Sequence, residues 1–157
     1  MYELAIGAII AALIFDFING FHDAANSIAT VVGTRVLKPL HAVTLAAVAN
    51  FAGPFLFGVA VATTIGKGII NPDFVTIHII IGALFGAIVW NIITWWWGLP
   101  SSSSHALVGG IIGAGIAGAG THAIIFGGLE KVATGILVSP IVGLVGAFLL
   151  ATLIIKI

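Results

Sequence analysis

Cysteine is absent from the 157 residues. Disulfides, thiolate nucleophiles and Cys-ligated metals are therefore excluded, while the compartment stays open. Charge is nearly as scarce. Acidic and basic residues make up 6% of the chain, five of each sign, where a soluble domain carries about 25%. So few polar side chains cannot cover a water-facing surface. The balance of signs points to no particular partner, and no nucleic-acid partner and no cofactor are expected. Also missing is a short apolar leader with a basic flank and a cleavage site, so the first apolar segment is expected to be retained.

What is present is apolar: 61% of the residues are hydrophobic. The runs are long and apolar on all sides, whereas a membrane barrel reads as alternating segments of about ten residues. The expected class is an all-α, multi-pass membrane protein embedded in a lipid bilayer. The first run covers residues 2–37, roughly 50 Å as one helix at 1.5 Å per residue, against a hydrocarbon core of about 30 Å. It is expected to be a broken helix, with Gly20 as the break. A second helix is expected over 41–64, kinked at Gly53-Pro54. A helical hairpin follows over 74–120 with its tip at 98–104, then a connection over 121–135 and a last helix over 136–157. Trp95, Trp96 and Trp97 suit an interfacial belt. Arg35 and Lys38 argue for a cytoplasmic first connection, and Lys67 argues the other way.

Two polar clusters interrupt this pattern. In the first, Asp16, Asn19, Asp23 and Asn26 recur at the spacing of one helical stripe, which Thr30 extends. A carboxylate at the bilayer centre costs about 2.5–3.5 kcal/mol on insertion scales. No Lys or Arg lies in the middle of an apolar segment to offset it. The compensation is expected from a bound cation, a proton or a substrate. Carboxylate and carboxamide oxygens form a hard-cation ligand set, so sodium at Asp23 and Asn26 fits, as does a proton relay. The alternative is a helix cap outside the lipid.

The second cluster is "GLPSSSSH", residues 98–105. Gly98 and Pro100 break the preceding helix, and Ser101, Ser102, Ser103 and Ser104 are good N-cap residues for the next. A helix start offers free N–H groups, the positive end of a dipole and hydroxyl donors, which together suit an anion. Discontinuous helices hold anionic groups in this way at the midplane of transporters. An interfacial turn is the structural alternative, although one serine would suffice to cap it. The glycines that follow, with Gly109 and Gly113 four apart, allow close helix approach. His41, His78 and His122 lie near segment ends. Asn50 and Asn91 lie deeper, where interhelical hydrogen bonding is the expected role.

"GFHDAANSIATVVGTRVL" (20–37) resembles the signature of the inorganic phosphate transporter (PiT) family, and "GLPSSSSHALVGGIIGAG" (98–115) resembles its hairpin motif. The resemblance implies an ion-coupled symporter in the cell membrane that carries inorganic phosphate with sodium or protons. It implies that Asp23 and Asn26 belong to the ion and phosphate site, and that Ser101–Ser104 hold phosphate. His22 stands where many members have Asn, and beside Asp23 it suits proton coupling; Asp16 is a further coupling candidate. Full members are built from two inverted repeats, and each motif occurs once here. A second repeat, either a C-terminal half or an inverted homodimer partner, is therefore expected to complete the site. Two other readings are a passive anion channel and an intramembrane serine hydrolase using His22 or His105 as base. The latter lacks a G-x-S-x-G elbow, and a Ser next to its His on one helix points elsewhere. No enzymatic activity is expected.

Overall fold

The structure, a computed structural model, describes residues 2–57 and 68–155. Five helices account for most of them: α1 (Tyr2–Gly33), α2 (Pro39–Phe57), α3 (Ile77–Trp96), α4 (Ser103–Ala119) and α5 (Phe126–Ile155). Short 3-10 turns lie at Pro72–Phe74 and Thr121–Ala123. Among the described residues there is no strand, only an antiparallel bridge between Ile70 and Ile124. α1, α2, α3 and α5 are long and apolar enough to cross a membrane, and α4 is shorter. Their large apolar side chains, such as Leu13, Phe17, Phe85 and Phe148, point outward. In water that surface would be untenable; in lipid it is the ordinary solvent-facing side.

Helix α1 corrects one expectation. It runs for 32 residues without interruption, and Gly20 sits inside it. A glycine costs a helix only about 1 kcal/mol relative to alanine. Opening the backbone in an apolar medium leaves unpaired N–H and C=O groups at several kcal/mol each, so continuity wins. α1 ends where Leu37 N–H reaches back to the Val31 carbonyl (3.2 Å) and Arg35 adopts φ 61°. The segment expected over 41–64 is helical from Pro39 to Phe57 and includes Pro54; its remainder lies outside the described residues.

The hairpin positions the site. Thr76 caps α3 through its hydroxyl, which accepts from Ile79 N–H. The chain leaves α3 through Gly98, at φ +65°, a left-handed conformation that a side chain would strain. Ser102 then caps α4, its Oγ accepting from His105 N–H at a long 3.4 Å. α3 and α4 pack closely along their lengths. At Gly110 even a methyl group would collide with the Ala83 carbonyl oxygen. α1 lies against α3 as well, with Phe15, Leu84 and Ala87 forming a buried cluster that Ala106 and Leu107 of α4 complete.

The last part of the chain differs from expectation. The connection is short, because Asn71 N–H bonds the Ala123 carbonyl (2.9 Å) and Ile125 N–H bonds the Ile69 carbonyl (2.8 Å). With the chain pinned there, "GGLEKVATG" becomes the first turns of α5, which starts at Phe126 with Glu130 and Lys131 exposed. The amphipathic stretch read as a connection can continue the apolar helix because its charges all face outward. α5 makes no extensive contact with the other described helices, and only Gly128 in it is buried.

Candidate functional site

The two polar stretches meet. Ser103, the first residue of α4, is fully buried. Its hydroxyl lies 2.7 Å from Asp23 Oδ2 and also against Asn19 Oδ1. A hydroxyl has one proton, so it serves one of these acceptors at a time. Asn26, one turn beyond Asp23, donates from Nδ2 to the Ser101 carbonyl at 3.1 Å. The hairpin tip is thus held on the polar stripe of α1 by side chains 75 to 84 positions away in sequence.

The four serines are not equivalent. Ser103 is locked under the tip, Ser101 and Ser102 are half-buried, and Ser104 is exposed. The side chain of Asp23 retains 41% of its exposure, so the carboxylate faces Ser103 on one side and open space on the other. Asn26 is exposed. Asp16 is exposed too, and it forms no hydrogen bond or ion pair among the described residues. The structure brings Asp23, Asn26, Ser101 and Ser103 together and leaves Asp16 apart from them.

His22 lies on the inner side of α1. It is only 5% exposed, and its Nε2 is 3.2 Å from Thr94 Oγ1 on α3. The Thr94 hydroxyl is within reach of the carbonyls of Trp90 (3.0 Å) and Asn91 (3.1 Å) in its own helix. His22 Nδ1 is 3.6 Å from Asp23 Oδ1, beyond hydrogen-bond reach, and has no partner among the described residues. Among the described residues neither its ring nor that of His105 bonds a serine hydroxyl, so the Ser–His pairing a hydrolase needs is not seen there. Sequence reasoning did not single out Thr94, which carries no charge and stands alone in an apolar helix. Asn19 was visible in the stripe, but nothing in the sequence marked it as the partner of a serine.

A groove of about 650 Å³ opens on the hairpin itself, lined by glycines of α3 and α4 with Trp90 and His105. It includes neither Asp23 nor any of the four serines. The candidate site is placed at the tip because the acid, the amides and the hydroxyls converge there.

Residues 19–157 match the phosphate transporter family. The chain belongs to that family. The match begins at Asn19 and so takes in both polar stretches. Within the family, the chain is 54% identical over 153 residues to a protein of Rhizobium meliloti named "probable low-affinity inorganic phosphate transporter", covering 98% of this chain and 46% of that protein. A Bacillus subtilis protein of the same name is 50% identical over 153 residues, 96% of this chain and 46% of its own length. The chain thus spans about half the length of these curated relatives. A solved structure entitled "The sodium-dependent phosphate transporter" superimposes with a TM-score of 0.84 at 33% identity, covering 98% of this chain and 39% of that one. These relatives are named as transporters, not enzymes, and family and helix lengths together make this an integral membrane protein.

Proposed function

We propose that this chain forms one half of a sodium-coupled inorganic phosphate symporter of the cell membrane, with the site completed by a second repeat. The observation that carries the reading is the latch between Ser103 and Asp23 (2.7 Å). It puts a hydroxyl-rich helix start and a carboxylate in one place. Phosphate bears about −1.5 to −2 charges near neutrality, and beside the Asp23 carboxylate it needs a cation. The open face of Asp23 and the exposed Asn26 supply oxygen ligands for one. Ser101, Ser102 and Ser104, with the free N–H groups of the first turn of α4, supply donors for the anion, and Ser103 holds the tip in place. Sodium is favoured over the proton because the sodium-dependent transporter shares this fold at 33% identity.

A second repeat is part of the proposal for two reasons. The chain covers 46% of its curated relatives, and Asp16, Asn26 and Ser104 lie exposed on helices that sit in lipid. In an apolar medium such groups need partners. The test is uptake of labelled phosphate into proteoliposomes under a sodium gradient, with choline replacing sodium and, separately, under a pH gradient. Uptake driven by sodium and abolished by choline is expected. Uptake that follows the pH gradient alone would replace sodium with the proton, and downhill phosphate flux independent of both would favour a channel.

A further inference from the structure

His22 on α1 and Thr94 on α3 are sealed between their helices, at 5% and 3% exposure. On the same seam the residues next to them, Phe21 and Trp95, meet edge to face with ring centroids 5.7 Å apart. The imidazole is thus enclosed, and its nitrogens answer to the protein around them. A neutral imidazole carries its proton on one nitrogen, and the hydrogen bonds of the ring decide which. Two ends of the ring point to the same answer. Thr94 Oγ1 is 3.0 Å from the Trp90 carbonyl and 3.1 Å from the Asn91 carbonyl, and 3.2 Å from His22 Nε2. Its one proton goes to its own helix, as threonines within helices direct it, so its lone pairs face Nε2 and the ring proton sits there. At the other end, Nδ1 is 3.6 Å from Asp23 Oδ1. A hydrogen on Nδ1 would draw a carboxylate in to about 2.7–2.9 Å; the wider gap is that of a bare nitrogen. No other donor serves it: Nδ1 is unpaired among the described residues, and so are both carboxamide atoms of the buried Asn91 three residues before Thr94.

We infer that Thr94 is a positioning residue for the candidate site: by accepting from Nε2 it holds His22 as the Nε2–H tautomer, which denies Asp23 a hydrogen bond from the neighbouring ring and keeps Oδ1 uncommitted. The two oxygens of Asp23 then differ. Oδ2 accepts from Ser103 at 2.7 Å, while Oδ1 faces a nitrogen with no proton to give. Without the Thr94 hydroxyl a hydrogen on Nε2 would be buried and unserved, which is costly. The proton then belongs on Nδ1, where Asp23 accepts it and the free oxygen is lost. The consequence for transport rests on the sodium-coupled reading above, since an uncommitted carboxylate oxygen is what a hard cation takes.

Nitrogen NMR on the purified, histidine-labelled protein tells a bare ring nitrogen from a protonated one. Spectra are taken without sodium or phosphate at about pH 8, where histidine is ordinarily neutral, and the His22 signals are assigned by their loss in His22→Asn. A protonated Nε2 and a bare Nδ1 are expected. Thr94→Val, of the same shape without the hydroxyl, is expected to move the proton to Nδ1 and to raise the half-saturating sodium for phosphate uptake about tenfold, with the maximal rate little changed. Thr94→Ser is expected to restore both. A role in packing alone would lower the melting midpoint of Thr94→Val and leave its tautomer as in the parent. That unchanged tautomer, or a protonated Nδ1 in the parent, would overturn the inference, and a moved proton with an unchanged sodium midpoint would refute the link to Asp23. Should Thr94→Val fail to fold, the parent and Thr94→Ser decide: a bare Nδ1 in both supports the assignment and a protonated one in either refutes it. Because the spectra need no sodium, failure of the sodium-coupled reading shows in uptake alone.

Discussion

Ser103 and Asp23 are 80 residues apart in the chain, and their side-chain oxygens are 2.7 Å apart in space. Each explains the other's position. A carboxylate on a membrane-spanning helix requires a donor, and the donor sits at the start of α4, at the tip of the hairpin. The contact is charge-assisted, with Ser103 fully buried and the Asp23 side chain still 41% exposed, so it is stronger than a neutral pair and only partly screened from its surroundings.

Removing the charge and keeping the shape isolates the role of the acid. Asp23→Asn is expected to leave expression and the helical fold intact while sodium-driven phosphate uptake in proteoliposomes falls to background. The amide still accepts from Ser103 and no longer attracts a cation. Uptake retained at the parent rate would place the cation site elsewhere.

The serines should separate by function. Ser103→Ala removes the latch and strands Asp23 and Asn19, at about 1.5–3 kcal/mol for a hydrogen bond to a charged group. A lowered thermal midpoint together with weakened phosphate binding is expected. Ser104→Ala, at an exposed position, is expected to leave the midpoint unchanged and weaken phosphate binding alone. Thermal melts and calorimetric titration of phosphate on the same preparations check both, and equal melting losses in the two variants would contradict the division.

Packing in the hairpin can be tested with neighbouring glycines. A side chain at Gly110 meets the Ala83 carbonyl, whereas one at Gly109 meets open space. Gly110→Val is expected to cost about 1–3 kcal/mol, as overpacking does, and to disturb the tip. Gly109→Ala is expected to be neutral or mildly stabilising, since alanine is the better helix former. Melting midpoints of the two variants in detergent distinguish them.

Residues 1–157 on their own are expected not to transport as a monomer. Phosphate and Asp23 together carry about −2.5 to −3 charges, and one helix start with a few hydroxyls does not offset that in a low-dielectric setting. α5 is bare over nearly its whole length, a surface that either lipid or a second repeat must cover. Reconstitution of the segment, with its oligomeric state fixed by native mass spectrometry, checks this. Coupled uptake from a proven monomer would refute the half-site argument.

Gly20→Ala is expected to leave uptake unchanged and raise helix stability by up to about 1 kcal/mol, because Gly20 lies within a continuous helix and a methyl group there would meet open space. Loss of uptake without loss of folding would show that α1 must bend there during transport.

The sequence by itself determined the solvent, the helical class, the polar stripe of α1 and the turn at Gly98–Ser102. These follow from composition, from periodicity and from residues whose effects are local: a carboxylate's cost in lipid, a proline without an N–H, a serine that caps. It misjudged Gly20 and the start of α5, where a weak local preference met the stronger demand that every backbone group in an apolar medium be paired. Only the tertiary structure decided which serine meets Asp23, that Thr94 holds His22, that Asp16 stands apart, and that Asn91 is fully buried with no partner for its amide among the described residues. Those outcomes depend on the register of helices that lie 70 to 85 residues apart along the chain. That register is set by how residues such as Phe15, Ala87 and Gly110 fit together across the interfaces, and no window of sequence short enough to read as a motif contains both sides of it.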